Sequence, residues 1–290
     1  MIYSTNTHVL TNRGVDLYQT VKMIAESGFP AIDLSLIDCS VALADDYKDS
    51  AKRLRSLADS LGFVFNQSHA PFGGGFEKYS TKTREILPRI LEFSGLLGIE
   101  TVVVHPLQKI RYYGQEEHMF ELNMEFYSAL APYAKNCGVK IGIENMWQQH
   151  PVTGRIVDDI GSDPCELVRY YDTLNDPDAF TVCLDIGHVA LCGREPEDAV
   201  KVIGHDRLGA LHVHDVDYID DLHTLPGLGK LKWDNICRAL GEIDYKGDFT
   251  LESNKFMNKF PLPFAPVALR FMNDNASYYS SMIDSYRPVK

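Results

Sequence analysis

Residues 209–229 read GALHVHDVDYIDDLHTLPGLG. The stretch opens as a strand, Ala210-Leu211-His212-Val213-His214, with apolar residues that belong in a core. It closes in a Pro-Gly-x-Gly turn. His212, Asp215, Asp221 and His223 stand at or just beyond the strand's end. Nitrogen and oxygen donors that follow core residues at once are what a metal site on the rim of a parallel barrel requires.

On either side of this stretch the chain alternates strand-like and helix-like segments. Strand-like runs occur near Ile2-Ser4 and at Ala31-Ser35, Phe63-Gln67, Thr101-His105, Lys140-Asn145, Phe180-Asp185 and Asp248-Ser253. With residues 210–214 they make eight strands. Each precedes a helical pattern: near 15–26, 46–61, 81–97 and 116–136, from Asp163-Pro164, from Glu195-Pro196, from Trp233 to about 241, and over 263–286. Gly28, Gly62 and Gly98 serve as stop signals, and Asp163-Pro164 as a start, by capping and by Pro in the first turn. No linker or low-complexity run interrupts the pattern. The alternation predicts one α/β domain over residues 1–290, a (β/α)8 TIM barrel. An open doubly wound sheet would need a G-x-G-x-x-G turn after an early strand, and none occurs.

Composition sets wider bounds. The 290 residues are 45% hydrophobic and 23% charged, enough for a large core. The formal net charge of -12, with 28 Lys+Arg against 40 Asp+Glu, disfavours a long polyanionic partner such as nucleic acid. Six scattered cysteines form no C-x-x-C pair, the start lacks a signal-peptide pattern, and no apolar run is long enough to span a membrane. Reduced thiols in a cytoplasmic protein fit this best. A homo-oligomer stays open.

In a barrel, side chains at the C-terminal ends of strands meet on one face. Strand three delivers His69, strand four His105 and strand five Glu144. Strand six delivers Asp185 and then His188. Strand seven delivers His212, with Asp221 and His223 beyond it, and strand eight Glu252. A single strand-end histidine is more often structural, so the convergence is the signal. Glu144, Asp185, His212 and Glu252 supply three carboxylates and one imidazole. That mix suits one divalent ion, Mn²⁺ or Mg²⁺, and also Co²⁺ or Zn²⁺.

Together, His69-Ala70-Pro71, Gly142-Ile143-Glu144-Asn145, Asp185-Ile186-Gly187-His188, His212-Val213-His214-Asp215, Asp221-Leu222-His223, Pro226-Gly227-Leu228-Gly229 and strand-end Glu252 resemble the xylose isomerase-like TIM-barrel superfamily. That group holds sugar and sugar phosphate isomerases and epimerases, inosose dehydratases and endonuclease IV. The likeness runs over nearly the whole chain. It implies a small sugar or polyol substrate. Similarity to the ketose 3-epimerases implies one metal held by Glu144, Asp185, His212 and Glu252, with His188 on the substrate. Two departures imply a different substrate grip: His150 and Tyr218 stand where those epimerases carry Glu and Arg. Similarity to endonuclease IV implies instead three zinc ions, whose nine ligands would be His69, His105, Glu144, Asp185, His188, His212, Asp221, His223 and Glu252.

The epimerase likeness implies enediolate chemistry, with Glu144 and Glu252 as acid and base and His188 hydrogen-bonded to an oxygen. A dehydratase of inosose type and a metal-dependent phosphodiesterase are the rivals. His69, His105, Asp221, His223 and Trp147 are then substrate contacts or support the ligands, with Trp147 a rim aromatic able to cover a sugar face. Gly73-Gly74-Gly75 reads as a turn or lid, and Gly227-Leu228-Gly229 occupies a place where barrels often bind phosphate. Lys255 stands just past Glu252, while His8, His118, His150 and His205 read as surface or loop residues.

Overall fold

A computed structural model of the chain describes residues 1–72, 84–108 and 111–288. The Gly73-Gly74-Gly75 connection lies outside the described residues, as does the start of the helix expected from Thr81.

Eight parallel strands carry the fold: β1 Tyr3–Asn6, β2 Ala31–Ser35, β3 Val64–His69, β4 Thr101–Val104, β5 Lys140–Glu144, β8 Phe180–Asp185, β9 Leu208–His212 and β10 Phe249–Leu251. They pair in the order β10-β1-β2-β3-β4-β5-β8-β9. The remaining seam closes at one bridge, Val213 to Leu251, where Val213 N donates to Thr250 O (2.9 Å) and Glu252 N to Val213 O (2.9 Å). The sheet is thus the expected (β/α)8 TIM barrel.

The surrounding helices include α2 Leu17–Glu26, α4 Tyr47–Leu61, α5 Arg84–Leu97, α6 Glu116–Cys137, α7 Pro164–Leu174, α9 Pro196–Ile203, α10 Trp233–Glu242 and α12 Ala265–Ser285. Shorter ones sit at the rim: α1 His8–Thr11, α3 Ser40–Leu43, α8 Ile186–Leu191 and α11 Asn254–Met257. Their ends follow from local chemistry. Asp163 accepts from Cys165 N at 2.9 Å to start α7 with Pro164 in its first turn. Gly62 ends α4 at φ 74°, a left-handed conformation that glycine adopts without steric penalty. Apolar faces of these helices pack on strands that are buried on both sides, such as β2 and β8, in which every residue is buried.

Besides the short rim helices, two elements close to the site go beyond the sequence pattern. The long connection before α7 contains an antiparallel hairpin, β6 Trp147–Gln149 with β7 Ile156–Asp158. Arg194 clamps it from the far side with a two-pronged ion pair to Asp158, at 2.6 and 3.0 Å. In addition, α8 follows β8 directly, started by the Asp185 carboxylate accepting from His188 N at 2.7 Å.

Candidate metal centre

The last residue of β5 is Glu144, of β8 Asp185 and of β9 His212; Glu252 follows the last residue of β10. Four strands that are neighbours in the barrel therefore end on four side chains able to ligate a metal. Donor atoms of these four lie within 4.8 Å of one another. His212 Nδ1 sits between two of the carboxylates, 2.9 Å from Glu144 Oε1 and 3.5 Å from Glu252 Oε2. Glu144, Asp185 and His212 are all but sealed from solvent, at 1%, 0% and 0% exposure.

Burying the Glu144 and Asp185 carboxylates beside a partly buried third, Glu252, is costly unless positive charge sits among them. Among the described residues no Lys or Arg forms an ion pair with Glu144, Asp185 or Glu252; only histidines do. Burial drives the Glu144 carboxyl upward, but His212 and His105 beside it overcome this and hold it well below the ordinary range. The ionised, oxygen-rich set fits a divalent cation.

The surrounding histidines are oriented as metal or substrate ligands usually are. His69 Nδ1 donates to Ala70 O (2.8 Å), His188 Nδ1 to Asn145 O (2.9 Å) and His223 Nδ1 to Glu252 O (2.7 Å). A carbonyl only accepts, so each Nδ1 carries the proton. Each Nε2 is directed at an acidic or imidazole neighbour: His69 at His105 (3.1 Å), His188 at Asp185 (3.8 Å), His223 at Asp221 (2.9 Å).

Three further groups of donors, each within 4.8 Å, adjoin the first: His69, His105 and Glu144; His69, His212 and Glu252; and His188, His214, Asp221 and His223. The last shares no residue with the central set. In that last group, burial lowers the His223 imidazole, but its bond to Asp221 reverses this and raises it to about 9. The Asp221 carboxyl, pushed up by burial, is pulled far below the carboxylate range by the same bond.

A cavity of about 260 Å³ opens over the centre, lined by Glu144, Glu252, His188, His105, Trp147 and Phe72 among others. All nine strand-end residues read from the sequence, with Trp147, thus lie at or beside one site. Asp215 does not. Its carboxylate points away and accepts from Val216 N (2.9 Å), Leu231 N (3.1 Å), Gly227 N (2.9 Å) and Trp233 Nε1 (2.8 Å). Those bonds also occupy amides in and beside the Pro-Gly-x-Gly turn that were candidates for a phosphate. A Cβ at Gly229 would lie 2.3 Å from Asp215 Oδ1, so the glycine serves the cage.

Three residues near the site were not among the ligand or contact candidates read from the sequence. His214 is fully buried with Nε2 3.1 Å from Asp185 Oδ1; its spacing of two from His212, on the same strand face, was the available signal. His8 follows β1 at the rim, within electrostatic reach of Glu252, His69 and His223, and is not a plain surface residue. Asp33, in the middle of β2, is wholly buried, and burial raises its carboxyl to about 6 against the opposing His212 and His69. A charged residue inside an otherwise apolar strand was its signal.

A sequence model described as xylose isomerase-like TIM barrel matches residues 21–272. The chain belongs to that family. Among solved structures, a D-tagatose 3-epimerase-like protein superposes with a TM-score of 0.76 at 22% identity, covering 98% of this chain and 99% of that one. D-psicose 3-epimerase from Clostridium cellulolyticum H10, with D-tagatose, gives 0.76 at 16% identity over 96% and 99%. At these identities the likeness is one of fold. An uncharacterized protein of Methanocaldococcus jannaschii is 28% identical over 193 residues, 64% of this chain and 63% of that protein, so the match spans less than two thirds of this relative.

Proposed function

We propose that the chain is a metal-dependent sugar isomerase or epimerase that works through an enediolate. The carrying observation is the set Glu144, Asp185, His212 and Glu252, converging from four neighbouring strand ends, with Glu144 and Glu252 lining one small cavity. Its similarity to a D-tagatose 3-epimerase-like protein and a D-psicose 3-epimerase supports the same reading. These four residues would hold one divalent ion, Mn²⁺, Mg²⁺, Co²⁺ or Zn²⁺. When bound, it polarises the substrate carbonyl and offsets the charge that develops as a neighbouring C–H is lost.

The protein groups do the proton work. One of Glu144 and Glu252 takes the proton from the carbon next to the carbonyl. The other returns a proton to the opposite face, giving an epimer, or to the adjacent carbon, giving the aldose–ketose isomer. Each such group contributes roughly 10²–10⁴-fold. His188, its Nδ1 held by Asn145 O, presents Nε2 to a substrate oxygen. Trp147 and Phe72, which line the cavity, would cover the apolar edge of the sugar.

The test is deuterium exchange. The metal-loaded protein, incubated in D2O with ketoses, aldoses and inososes, should wash deuterium into the carbon beside the carbonyl of at least one. Glu252→Gln should suppress it by about 10²-fold or more. Exchange in none, or full activity in Glu252→Gln, sinks the assignment. Loss of a hydroxyl alongside exchange would mark the inosose-type dehydratase.

One observation favours a second reading, a metal-dependent phosphodiesterase related to endonuclease IV. Besides the central set, His69-His105-Glu144 and His188-His214-Asp221-His223 also bring their donor atoms within 4.8 Å of one another. Metal analysis of the purified protein separates the two: about one ion per chain for the epimerase, three for the phosphodiesterase.

A further inference from the structure

The small cavity over the metal centre is not closed. Trp147 and Asp221 line both it and a larger, adjacent groove of about 710 Å³. The first volume is just below the range of pockets for drug-sized ligands and suits one monosaccharide ring; the second lies well inside that range, about 300–1,000 Å³. A single sugar seated against Glu144 and Glu252 leaves this groove empty.

The groove is built rather than incidental. One wall is the β6–β7 hairpin, fixed by the Arg194–Asp158 pair. The other is the segment after β9, where Tyr218 holds φ 68°, a conformation costly for a bulky side chain. Its hydroxyl is tied to Glu195 Oε2 at 3.3 Å, so the ring is held in place as part of the lining. Backbone strain of this kind is kept where it positions a functional group.

The chemistry of the lining identifies the occupant. Its charged residues, Arg155, Lys255, Asp220 and Asp221, sum to zero. Lys255 is already committed to Asp221, through the carbonyl and through the carboxylate at 3.6 Å. A phosphate or carboxylate on the ligand would call for surplus cation, so the groove suits an uncharged extension. Trp147 and Tyr218 offer ring faces. The side chains of Gln149, Arg155 and Asp220 have no hydrogen-bond or ion-pair partner among the described residues, and so are available to hydroxyls.

We propose that the groove is a second sugar subsite, so that the substrate is a glycoside: one ring reacts at the metal centre and a neutral, hydroxyl-rich unit lies between Trp147 and Tyr218. This rests on the epimerase reading, and the test separates the two. The rate of deuterium wash-in is compared for fructose, fructose 6-phosphate, isomaltulose and maltulose. The last two carry a glucosyl unit on O6 or O4 of the same ketose. At least one disaccharide should exceed both fructose and its phosphate in kcat/KM by about tenfold or more, the value of a single good pocket contact. Tyr218→Ala and Thr153→Trp, which remove one wall contact and fill the groove, should collapse the disaccharide-to-fructose ratio towards one. Preference for fructose or its phosphate, or a ratio indifferent to both variants, overturns the inference while leaving the epimerase reading intact. If no sugar exchanges, that reading falls, and calorimetric binding of the two disaccharides decides the subsite. Binding weakened about tenfold by Tyr218→Ala supports it, and no binding overturns it.

Discussion

Asp215→Asn tests whether the loop that carries Asp221 and His223 hangs on one carboxylate. Asp215 is fully buried and accepts four hydrogen bonds, two on each oxygen. Asparagine keeps the shape and one acceptor, but puts an NH₂ group against two of the four donors. In one orientation it faces Val216 N and Leu231 N, both buried; in the other Gly227 N, which can turn to water, and the buried Trp233 Nε1. A hydrogen bond to a charged group contributes about 1.5–3 kcal/mol, and a stranded buried donor costs about 1–3 kcal/mol. Losing two such bonds, one donor at least without water, gives a destabilisation of about 3 kcal/mol or more. At roughly 2–4 °C per kcal/mol for a domain of this class, Tm should fall by roughly 6–12 °C. Thermal unfolding by circular dichroism reads the loss. Trp233 emission, recorded in a Trp147→Phe background, reports the lost indole bond, since these are the two tryptophans. A variant melting within about 2 °C of the wild type, with unchanged emission, refutes the cage.

Adding a divalent ion to the chelator-stripped protein should raise Tm by about 5–10 °C when the free ion stands 100-fold above its Kd, which corresponds to about 2.7 kcal/mol. Glu252→Ala should remove most of that rise, and a melt indifferent to Mn²⁺, Mg²⁺, Co²⁺ and Zn²⁺ would rule the centre out. Asp33→Asn addresses pH in the same stripped protein. The Asp33 carboxyl, ordinarily near 3.8, is raised to about 6 in the fold. Its stabilising contribution is therefore complete below about pH 4 and lost as pH rises through about 6. From pH 4 to pH 7 the variant should gain up to about 3 kcal/mol on the wild type in urea unfolding; a constant difference across that window contradicts the buried, raised carboxyl. Gly187→Ala should lose about 1–3 kcal/mol in the same assay, because the new Cβ would lie 2.1 Å from His214 Cε1 and push that ring off Asp185.

The alternation of eight strands with helices, and the ligand type at the end of each of the last six strands, were legible in residue order alone. A parallel barrel turns every strand end to one face, so order and residue type sufficed for the fold and for the nine side chains at the site. The last residue of a strand keeps the pleat's alternation, which is why Glu144, Asp185 and His212 turn to one face together. Beyond that point a side chain's direction is set by loop bonds to residues distant in sequence. Asp215 therefore looked like a ligand until Leu231, Gly227 and Trp233 were seen around it. The hairpin over 147–158 was hidden for a related reason: its strands are three residues each, too short for a period-two pattern, and Arg194 holds them from another element. Sequence determined the barrel and the kinds of donor in it. Only the tertiary structure decided how those donors gather into overlapping groups, and that the opening over them shares Trp147 and Asp221 with a groove, because both depend on loop paths and on register shifts such as that between Val182 and Cys183.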